Sequence, residues 1–282
     1  MRIINTKIIE ENVRDLCMEI NRELPADVYN SILSLRHCEQ NPRCVGTPAI
    51  STPNEFDKIN DIINNCAVAK ELNLPICQDT GMAVVFIKIG QDVHLEGKSL
   101  YKAVNDGVAS GYKDGYMRMS IVTDPLNRVN TNTNTPVIIH TEITDGDNIE
   151  LTVCAKGFGS ENMSEIKMLL PTASREDIIN EIVKTVKKAG DNACPPMVIG
   201  IGIGGDFEYC AYLAKKALCR DFGYKHDNDY YNTLENDILS AINTENNIAM
   251  KIGIEYYPTH IAGLPLAVNI GCHVNRHKTM VI

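Results

Sequence analysis

The first 75 or so residues place hydrophobic side chains at the spacing of an α-helix. Apolar residues recur about every 3.6 positions in the first such segment, at Ile8, Ile9, Val13, Leu16, Ile20 and Leu24. A second helix is predicted to begin near Pro25. The start of a third is marked by Thr52-Pro53-Asn54-Glu55, which combines a capping box with proline at the first helical position. This helix should end before Pro75. We therefore predict a helical N-terminal region over roughly residues 1–75.

From residue 76 the pattern changes to short apolar runs separated by turns. Strands are predicted at residues 82–89, 138–143, 149–155 and 196–203. The second and third are separated by Asp145-Gly146-Asp147, which favours a hairpin. Helices are predicted at residues 100–108, 174–189, 207–218 and 231–242. The fold class is therefore α+β (mixed α/β), with a helical N-terminal part followed by a mixed sheet packed with helices.

Three segments lack a clear period. Residues 124–136 are rich in Asn, Thr and Pro and form a loop too long to be without a function. A stretch rich in Gly and Pro begins at Gly253. Residues 221–229 are the best candidate for an exposed excursion that divides two lobes. We expect a single domain over residues 1–282, with its α/β catalytic region at 76–282 and its lobes placed around the site.

Composition and charge narrow the class of protein. The chain has 282 residues, 44% of them hydrophobic, and 27 Lys+Arg against 36 Asp+Glu give a net charge of −9. Basic residues are scattered singly, so nucleic acid is not an expected partner, and a small anionic substrate would need local cations. The longest apolar stretch, residues 195–205, is about half of the ~20 residues that cross a membrane. Charges from Glu10 onward interrupt any signal-peptide core, which predicts a cytoplasmic protein.

Ten cysteines are present, and no two of them are spaced C-x-x-C. The absence of this spacing excludes zinc ribbons and thioredoxin-like motifs. Four of the cysteines lie on apolar helical stripes, which predicts a packing role for Cys17, Cys66, Cys210 and Cys219. In contrast, Cys77, Cys194 and Cys272 fall in turns. Three thiolates without a fourth partner suit an iron–sulfur cluster with one open iron, although the spacing alone leaves inert thiols as an alternative.

A zinc site is a second metal hypothesis. Cys272-His273 and His277 form a C-H-x-x-x-H cluster that could be joined by His260. The alternative, which is preferred, is that residues 273–278 form a polar exit, that is, an exposed polar segment that follows the last buried one.

A dinucleotide site is a third possibility. Gly200, Gly202 and Gly205 fit the G-x-G-x-x-G pattern after an apolar strand and before a helix. The acidic residue at the expected distance, Asp221, lies in a segment without strand character. Close packing of a glycine strand against its neighbours explains the motif equally well.

Six motifs in a fixed order resemble those of one enzyme family. They are Pro75-Ile76-Cys77-Gln78-Asp79-Thr80-Gly81, Asp124-Pro125 with Arg128 and Asn130-Thr131, Asn134-Thr135-Pro136, Lys156-Gly157-Phe158-Gly159-Ser160-Glu161-Asn162, Cys194-Pro195-Pro196, and His260-Ile261-Ala262-Gly263-Leu264-Pro265 before Cys272. From about residue 5 to its end, the chain resembles the class I, iron–sulfur-dependent fumarate hydratase family in its alpha-subunit form. Tartrate dehydratase alpha subunits are close relatives of that family.

The resemblance implies a metal cofactor and its ligands. Cys77, Cys194 and Cys272 match the three ligands of a [4Fe-4S] cluster whose fourth iron binds the substrate hydroxyl and one carboxylate. Gln78 and Asp79 match the positions beside the cluster that contact the hydroxyl region. Together with His260, which matches the family's active-site histidine, they are the expected catalytic residues.

The resemblance also implies how the substrate is held. Arg118 matches the carboxylate-binding arginine, and a planar guanidinium suits that task because it donates two parallel hydrogen bonds. Gly157 and Gly159 match the loop whose backbone contacts the substrate. Phe158 departs from the family, much of which has a third glycine at this position.

The implied function is reversible hydration of a small dicarboxylate, fumarate to (S)-malate, by a hydro-lyase alpha subunit. Single-chain members have a second domain that carries the general base, and no segment of this chain matches it. A beta subunit is therefore the expected partner, in an alpha2beta2 hetero-oligomer with alpha–alpha contacts. The alternatives are a tartrate or mesaconate hydro-lyase alpha subunit and a non-catalytic iron–sulfur protein.

Overall fold

A computed structural model describes residues 1–38, 53–244 and 248–282. The chain forms two compact units, the first made of Met1–Pro25, Asn65–Phe158 and Arg276–Ile282 and the second of Ala26–Asn64 and Gly159–Asn275. The predicted α+β class is confirmed. The predicted division at residues 221–229 is wrong, because this segment lies wholly inside the second unit.

Apart from one short helix in the segment around Gly159, which was predicted as a loop, the helices follow the predicted pattern closely. They are α1 (Thr6–Arg22), α2 (Ala26–Cys38), α3 (Pro53–Leu72), α4 (Leu100–Asp114), α5 (Phe158–Glu161), α6 (Arg175–Ala189), α7 (Phe207–Ala217) and α8 (Asp229–Ile242). Thr52, the predicted cap of α3, lies outside the described residues. At the start of α6, Ser174 and Asp177 form a reciprocal capping box. None of the helices in the described ranges is long and apolar enough to cross a membrane.

The strands include several that the hydrophobic pattern did not predict. They are β1 (Arg2–Asn5), β2 (Met82–Gly90), β3 (Val93–Glu96), β4 (Ile138–Thr144), β5 (Ile149–Lys156), β6 (Glu165–Leu169), β7 (Met197–Gly205), β8 (Ala249–Thr259), β9 (Leu264–Gly271) and β10 (Arg276–Val281). Strands β8 to β10 fall in or beside the stretch rich in Gly and Pro, whose composition masks their periodicity.

The first unit contains a four-stranded sheet in the order β10-β5-β2-β4. The predicted hairpin between β4 and β5 is wrong, because β2 lies between them, parallel to β4 and antiparallel to β5. The end of β2 enters the connection between the two strands, where Gly90 N–H donates to Asn148 O at 2.8 Å. The apolar β2 and β5 take the centre of the sheet, while β4 is largely exposed.

The second unit contains a sheet in the order β6-β9-β7-β8, with β7 parallel to β8 and antiparallel to β9. Helix α7 packs closely on β7. A Cβ at Gly200 would lie 2.1 Å from Ala214 O, and one at Gly202 would lie 1.9 Å from Cys210 O. Close helix–strand packing therefore accounts for these two glycines of the G-x-G-x-x-G pattern.

Candidate functional site

The turn that carries Cys77 lies in the first unit and leads into β2. Asn65 Nδ2 donates to Ile76 O at 2.7 Å, and the Tyr112 hydroxyl donates to Thr80 O at 2.8 Å. Thr80 is buried, whereas Cys77 is half-buried and Gln78 is exposed. The flanks of the turn are therefore fixed by hydrogen bonds, and its cysteine and glutamine remain accessible.

The Asp79 carboxylate joins this turn to the segment at residues 156–162 that contains Gly157 and Gly159, here called the glycine loop. One oxygen accepts the N–H of Gly81 at 3.0 Å and the other accepts the N–H of Phe158 at 2.8 Å. A Cβ at Gly157 would lie 3.0 Å from Asp79 Oδ2. The geometry gives Asp79 a positioning role, and its predicted contact with substrate stays a prediction.

Arg276 is a buried cation behind the same turn, and sequence reasoning missed it. Its side chain is 1% exposed, and its two terminal nitrogens donate to Asp79 O and Asn21 Oδ1, both at 2.8 Å. Within the described residues it has no ion pair, and its buried Nε has no hydrogen-bond partner. The predicted polar exit at residues 273–278 is wrong at Arg276 and His277, which are both buried in β10. Only their place after Cys272 could have drawn attention to them.

Arg118 follows α4 and presents an exposed side chain. Its backbone oxygen accepts the Thr80 hydroxyl at 3.2 Å, which fixes it next to the Cys77 turn. Across the described ranges, its guanidinium takes part in no hydrogen bond and no ion pair. A planar donor of this kind can bind a ligand carboxylate, so the structure is compatible with the predicted role.

The second unit brings Cys194 and Cys272 together. Cys194 is exposed and ends a short 3₁₀-helix, Gly190–Ala193, in the left-handed conformation with φ 53° and ψ 71°. Cys272 directly follows β9 and is half-buried. The His273 backbone N–H donates to Cys194 O at 3.3 Å, and its ring Nδ1 lies 2.9 Å from the same oxygen. Two of the three predicted ligands, distant in sequence, therefore occupy adjoining turns.

His260 lies in the connection between β8 and β9 and is exposed. Its Nδ1 accepts the N–H of Ala262 at 3.2 Å. Because Nδ1 is an acceptor, the neutral ring carries its proton on Nε2. His260 can therefore donate a hydrogen bond through Nε2, as a residue that contacts substrate oxygen would.

The second half of the glycine loop has free space beside Gly159 and is held by side-chain contacts at Glu161. The nearest heavy atom to a Cβ at Gly159 would be Asn192 O, 3.8 Å away. Two residues on, Glu161 forms an ion pair with Lys215 and accepts Asn269 Nδ2 at 2.8 Å. The predicted backbone contact at Gly159 has room to form, and Glu161 fixes the segment that follows it.

Of the four cysteines assigned to packing, two lie in the core, and Cys219 lies in the turn after α7 rather than on its helical stripe. Cys17 and Cys210 are fully buried, as predicted, while Cys66 and Cys219 are half-buried. Burial raises the pKa of the Cys17 thiol to about 12 and raises the pKa of Cys66 and Cys210 as well. The Cys17 side chain therefore stays protonated at neutral pH and is unsuited to metal binding.

The candidate metal donors are three thiols in turns, which are of a kind that an iron–sulfur cluster can use. Thiols in loops, with two of them in adjoining turns, are the ligands that such clusters take. In the part of the chain that the structure describes, no three His, Cys, Asp or Glu side chains are grouped as a metal site. This finding covers the zinc set of Cys272, His273, His277 and His260, and it applies equally to Cys77, Cys194 and Cys272. Cys77 belongs to the first unit, and Cys194 and Cys272 belong to the second.

Comparison with known proteins places the chain among hydro-lyase alpha subunits. The family model described as fumarate hydratase (Fumerase) matches residues 10–281, and the chain belongs to this family. A Methanocaldococcus jannaschii protein named putative L(+)-tartrate dehydratase subunit alpha is 34% identical over 94% of this chain and 95% of its own. The L(+)-tartrate dehydratase subunit alpha of Escherichia coli strain K12 is 27% identical over 97% of this chain and 90% of its own. The family predicted from the six motifs is confirmed.

Proposed function

We propose that this chain is the alpha subunit of a two-subunit [4Fe-4S] hydro-lyase that reversibly hydrates fumarate to (S)-malate. The observation that carries the proposal is the meeting of the Cys194 and Cys272 turns in a chain of the fumarate hydratase family. In its resemblance to the family, the Gly-Ser-Glu-Asn sequence at residues 159–162 leans toward fumarate.

Cys77, Cys194 and Cys272 would hold the cluster. When bound, the cluster supplies an iron with an open coordination position, which acts as a Lewis acid toward a hydroxyl or carboxylate oxygen. The buried Arg276 adds positive charge behind the Cys77 turn, where thiolates and a dicarboxylate would otherwise concentrate negative charge.

Three accessible side chains would bind the substrate. Arg118 would take one carboxylate through two parallel hydrogen bonds, and its exposed guanidinium supports this role. Gln78 would hydrogen-bond to the hydroxyl region. His260 would donate from Nε2 to a substrate oxygen, since its Nδ1 already accepts the Ala262 N–H.

The glycine loop would complete the contacts that this chain makes. Backbone N–H groups around Gly157 and Gly159 would contact the substrate. At Gly159 no side chain prevents the close approach of an anion, whereas Gly157 lies beside the Asp79 carboxylate. Asp79 is assigned to the catalytic machinery by its place beside Cys77. Its bond to Phe158 N–H supports a role in setting the position of the loop.

A beta subunit would supply the general base. Hydration moves a carbon-bound proton, and a group within hydrogen-bond reach of that proton is required. The relatives are named as alpha subunits, which supports a partner of this kind. We place the pair in an alpha2beta2 assembly with alpha–alpha contacts in the cytoplasm, where reducing conditions protect thiols.

L(+)-tartrate is the second candidate substrate. The observation that favours it is the name of the relatives, which are described as tartrate dehydratase subunits at 34% and 27% identity.

The test is an anaerobic assay of the reconstituted chain, alone and with a co-expressed beta chain, on fumarate, L(+)-tartrate and mesaconate. We expect cluster absorption in the visible range from the alpha chain, no hydration by the alpha chain alone, and turnover of fumarate by the pair. Faster turnover of L(+)-tartrate than of fumarate would make tartrate the proposed substrate in place of fumarate. Robust turnover by the alpha chain alone would contradict the split site, and an absence of cluster from both preparations would contradict the cofactor.

A further inference from the structure

His273 links the turns of Cys194 and Cys272 through a side-chain hydrogen bond. Its Nδ1 lies 2.9 Å from Cys194 O, and its backbone N–H reaches the same oxygen at 3.3 Å. A carbonyl oxygen only accepts hydrogen bonds, so Nδ1 must carry the proton. The carbonyl of Cys194 is thus held by His273, the residue that directly follows Cys272.

The Cys194 backbone needs such support. A φ of 53° is uncommon for a residue with a side chain and persists only where the surroundings hold it. On the side of its N–H, Cys194 bonds to Asp191 O at 3.2 Å. On the side of its carbonyl, His273 supplies two contacts. Since this backbone conformation sets the direction of the Cα–Cβ bond, whatever fixes the carbonyl also limits the positions that the thiol can take.

The segment that carries His273 is itself well anchored. Asn275 Nδ2 donates to Leu218 O at 2.8 Å, and Val274 is buried. On the other side, Gly271 pairs with Val198 in the sheet. His273 therefore extends from a fixed segment and can hold the exposed Cys194 turn in place.

We propose that His273 is a positioning residue for Cys194: its Nδ1–H holds the Cys194 carbonyl and so presents the Cys194 thiol beside Cys272. The proposal rests on the proposed function in taking these two cysteines as cluster ligands. The arrangement of the two turns belongs to the apoprotein and can be measured without a cluster.

Two amide substitutions separate the two ring nitrogens. The amide nitrogen of asparagine occupies nearly the place of Nδ1, whereas that of glutamine occupies nearly the place of Nε2. His273→Asn should therefore keep the bond to Cys194 O, and His273→Gln and His273→Ala should lose it. His94→Ala, at an exposed histidine of β3, is the matched control. Circular dichroism verifies that each full-length variant is folded.

The first readout is crosslinking of Cys194 to Cys272 in the apoprotein with dibromobimane, quantified by peptide mass spectrometry. We expect the initial crosslinking rate to fall about fivefold in His273→Gln and His273→Ala, as for the loss of one hydrogen bond. His273→Asn and His94→Ala should stay within about twofold of the parent chain. Equal rates in all chains, or retention in His273→Gln with loss in His273→Asn, would overturn the proposal.

The second readout is the loss of cluster absorbance to a chelator after anaerobic reconstitution. Removing a residue that orients a metal ligand typically weakens metal binding about tenfold or more, so iron should leave His273→Gln and His273→Ala about tenfold faster. His273→Asn should restore the parent rate. If the parent chain takes up no cluster while its crosslinking still depends on His273, the proposed function fails and the positioning of Cys194 stands. If clusters form and persist equally in all variants, the positioning role is wrong.

Discussion

Asp79 accepts a hydrogen bond from the backbone N–H of Phe158, which lies 79 residues further along the chain, at 2.8 Å. The other carboxylate oxygen accepts the N–H of Gly81. One side chain thus fixes the Cys77 turn relative to the first half of the glycine loop. A carboxylate is suited to this task because both of its oxygens accept and neither donates.

Asp79→Asn should disturb both segments. An amide has one accepting oxygen, so either Phe158 or Gly81 would face an N–H group instead of an acceptor. We expect a loss of about 1–3 kcal/mol in the free energy of unfolding, measured by urea denaturation, together with a loss of hydration activity. Asp92→Asn removes the same charge at an exposed position and should leave both unchanged. An unaltered unfolding curve for Asp79→Asn would show that the two bonds contribute little.

Serine substitutions should separate the cysteines in turns from those in the core. Cys194→Ser should abolish cluster absorbance after reconstitution, because a hydroxyl is a poor replacement for a thiolate ligand. Cys210→Ser should keep the absorbance, since Cys210 is a fully buried residue of α7 whose Sγ–H donates to Phe207 O at 3.4 Å. Its cost should be limited to about 1–2 kcal/mol of stability. A full cluster in Cys194→Ser would remove this residue from the ligand set.

The sequence predicted the helices and the buried strands because their periods are local. The amphipathic stripe of α1 is buried at Ile9, Val13 and Leu16, as the spacing indicates. Strand order is not local. The loop at residues 145–147 suits a hairpin, but β2 is more apolar than β4 and displaces it from β5. No periodicity within β4 and β5 could show this competition for a partner.

For the candidate site, the sequence predicted which segments form turns but not the contacts that hold those turns. The motifs identified the turns, and the turn position distinguished Cys194 and Cys272 from the cysteines of the core. The contacts that hold these turns come from distant residues with ordinary sequence surroundings. Arg276 has a charged side chain that sequence reasoning places at the surface, yet it is buried against Asp79 O and Asn21. Only the folded chain shows this use of its charge.

Gly202→Ala should distinguish helix packing from dinucleotide binding. The added Cβ would lie 1.9 Å from Cys210 O, so α7 would have to move away from β7. We expect a loss of about 3 kcal/mol or more, or insoluble protein, measured by thermal unfolding. Gly223→Ala, where no heavy atom lies within 4 Å, is the control and should be neutral. A stable Gly202→Ala chain that had lost affinity for NAD would favour the dinucleotide alternative.

The hydrogen bonds of Glu10 with two lysines should make part of the free energy of unfolding depend on pH. Hydrogen bonds from Lys7 and then Lys98 lower the pKa of Glu10 below its usual 4.5, against the opposing effect of burial. A group with a lowered pKa stabilises the fold above its unfolded pKa, and the contribution disappears as the pH falls through the folded pKa. The difference in stability between the parent chain and Glu10→Gln should therefore be constant near neutrality and shrink below about pH 4.5.

The size of this effect should be small. Both lysines are more than a third exposed, so solvent screens the pairs and the contribution should stay under about 1 kcal/mol. Thermal unfolding of both chains between about pH 7 and pH 3.5 measures this contribution, because the series crosses the pH at which glutamate titrates. Glu11→Gln, at a more exposed position 3.9 Å from Lys7, should show almost no difference from the parent chain. A difference for Glu10→Gln that grew on acidification would contradict the direction of the pKa shift.

Arg118→Lys should weaken substrate binding without affecting the cluster. Lysine keeps the positive charge but lacks the planar fork that matches a carboxylate with two parallel hydrogen bonds. Because the Arg118 side chain is exposed and only its backbone oxygen supports the Cys77 turn, through Thr80, the substitution should not change stability. We expect kcat/KM of the alpha–beta pair to fall about 10- to 100-fold, as for the loss of a charge-assisted hydrogen bond. Arg36→Lys, at an exposed arginine of α2, is the matched control. An intact cluster spectrum together with a reduced kcat/KM would show that Arg118 binds the substrate. An unchanged kcat/KM would show that only the backbone of Arg118 has a role, through its hydrogen bond with Thr80.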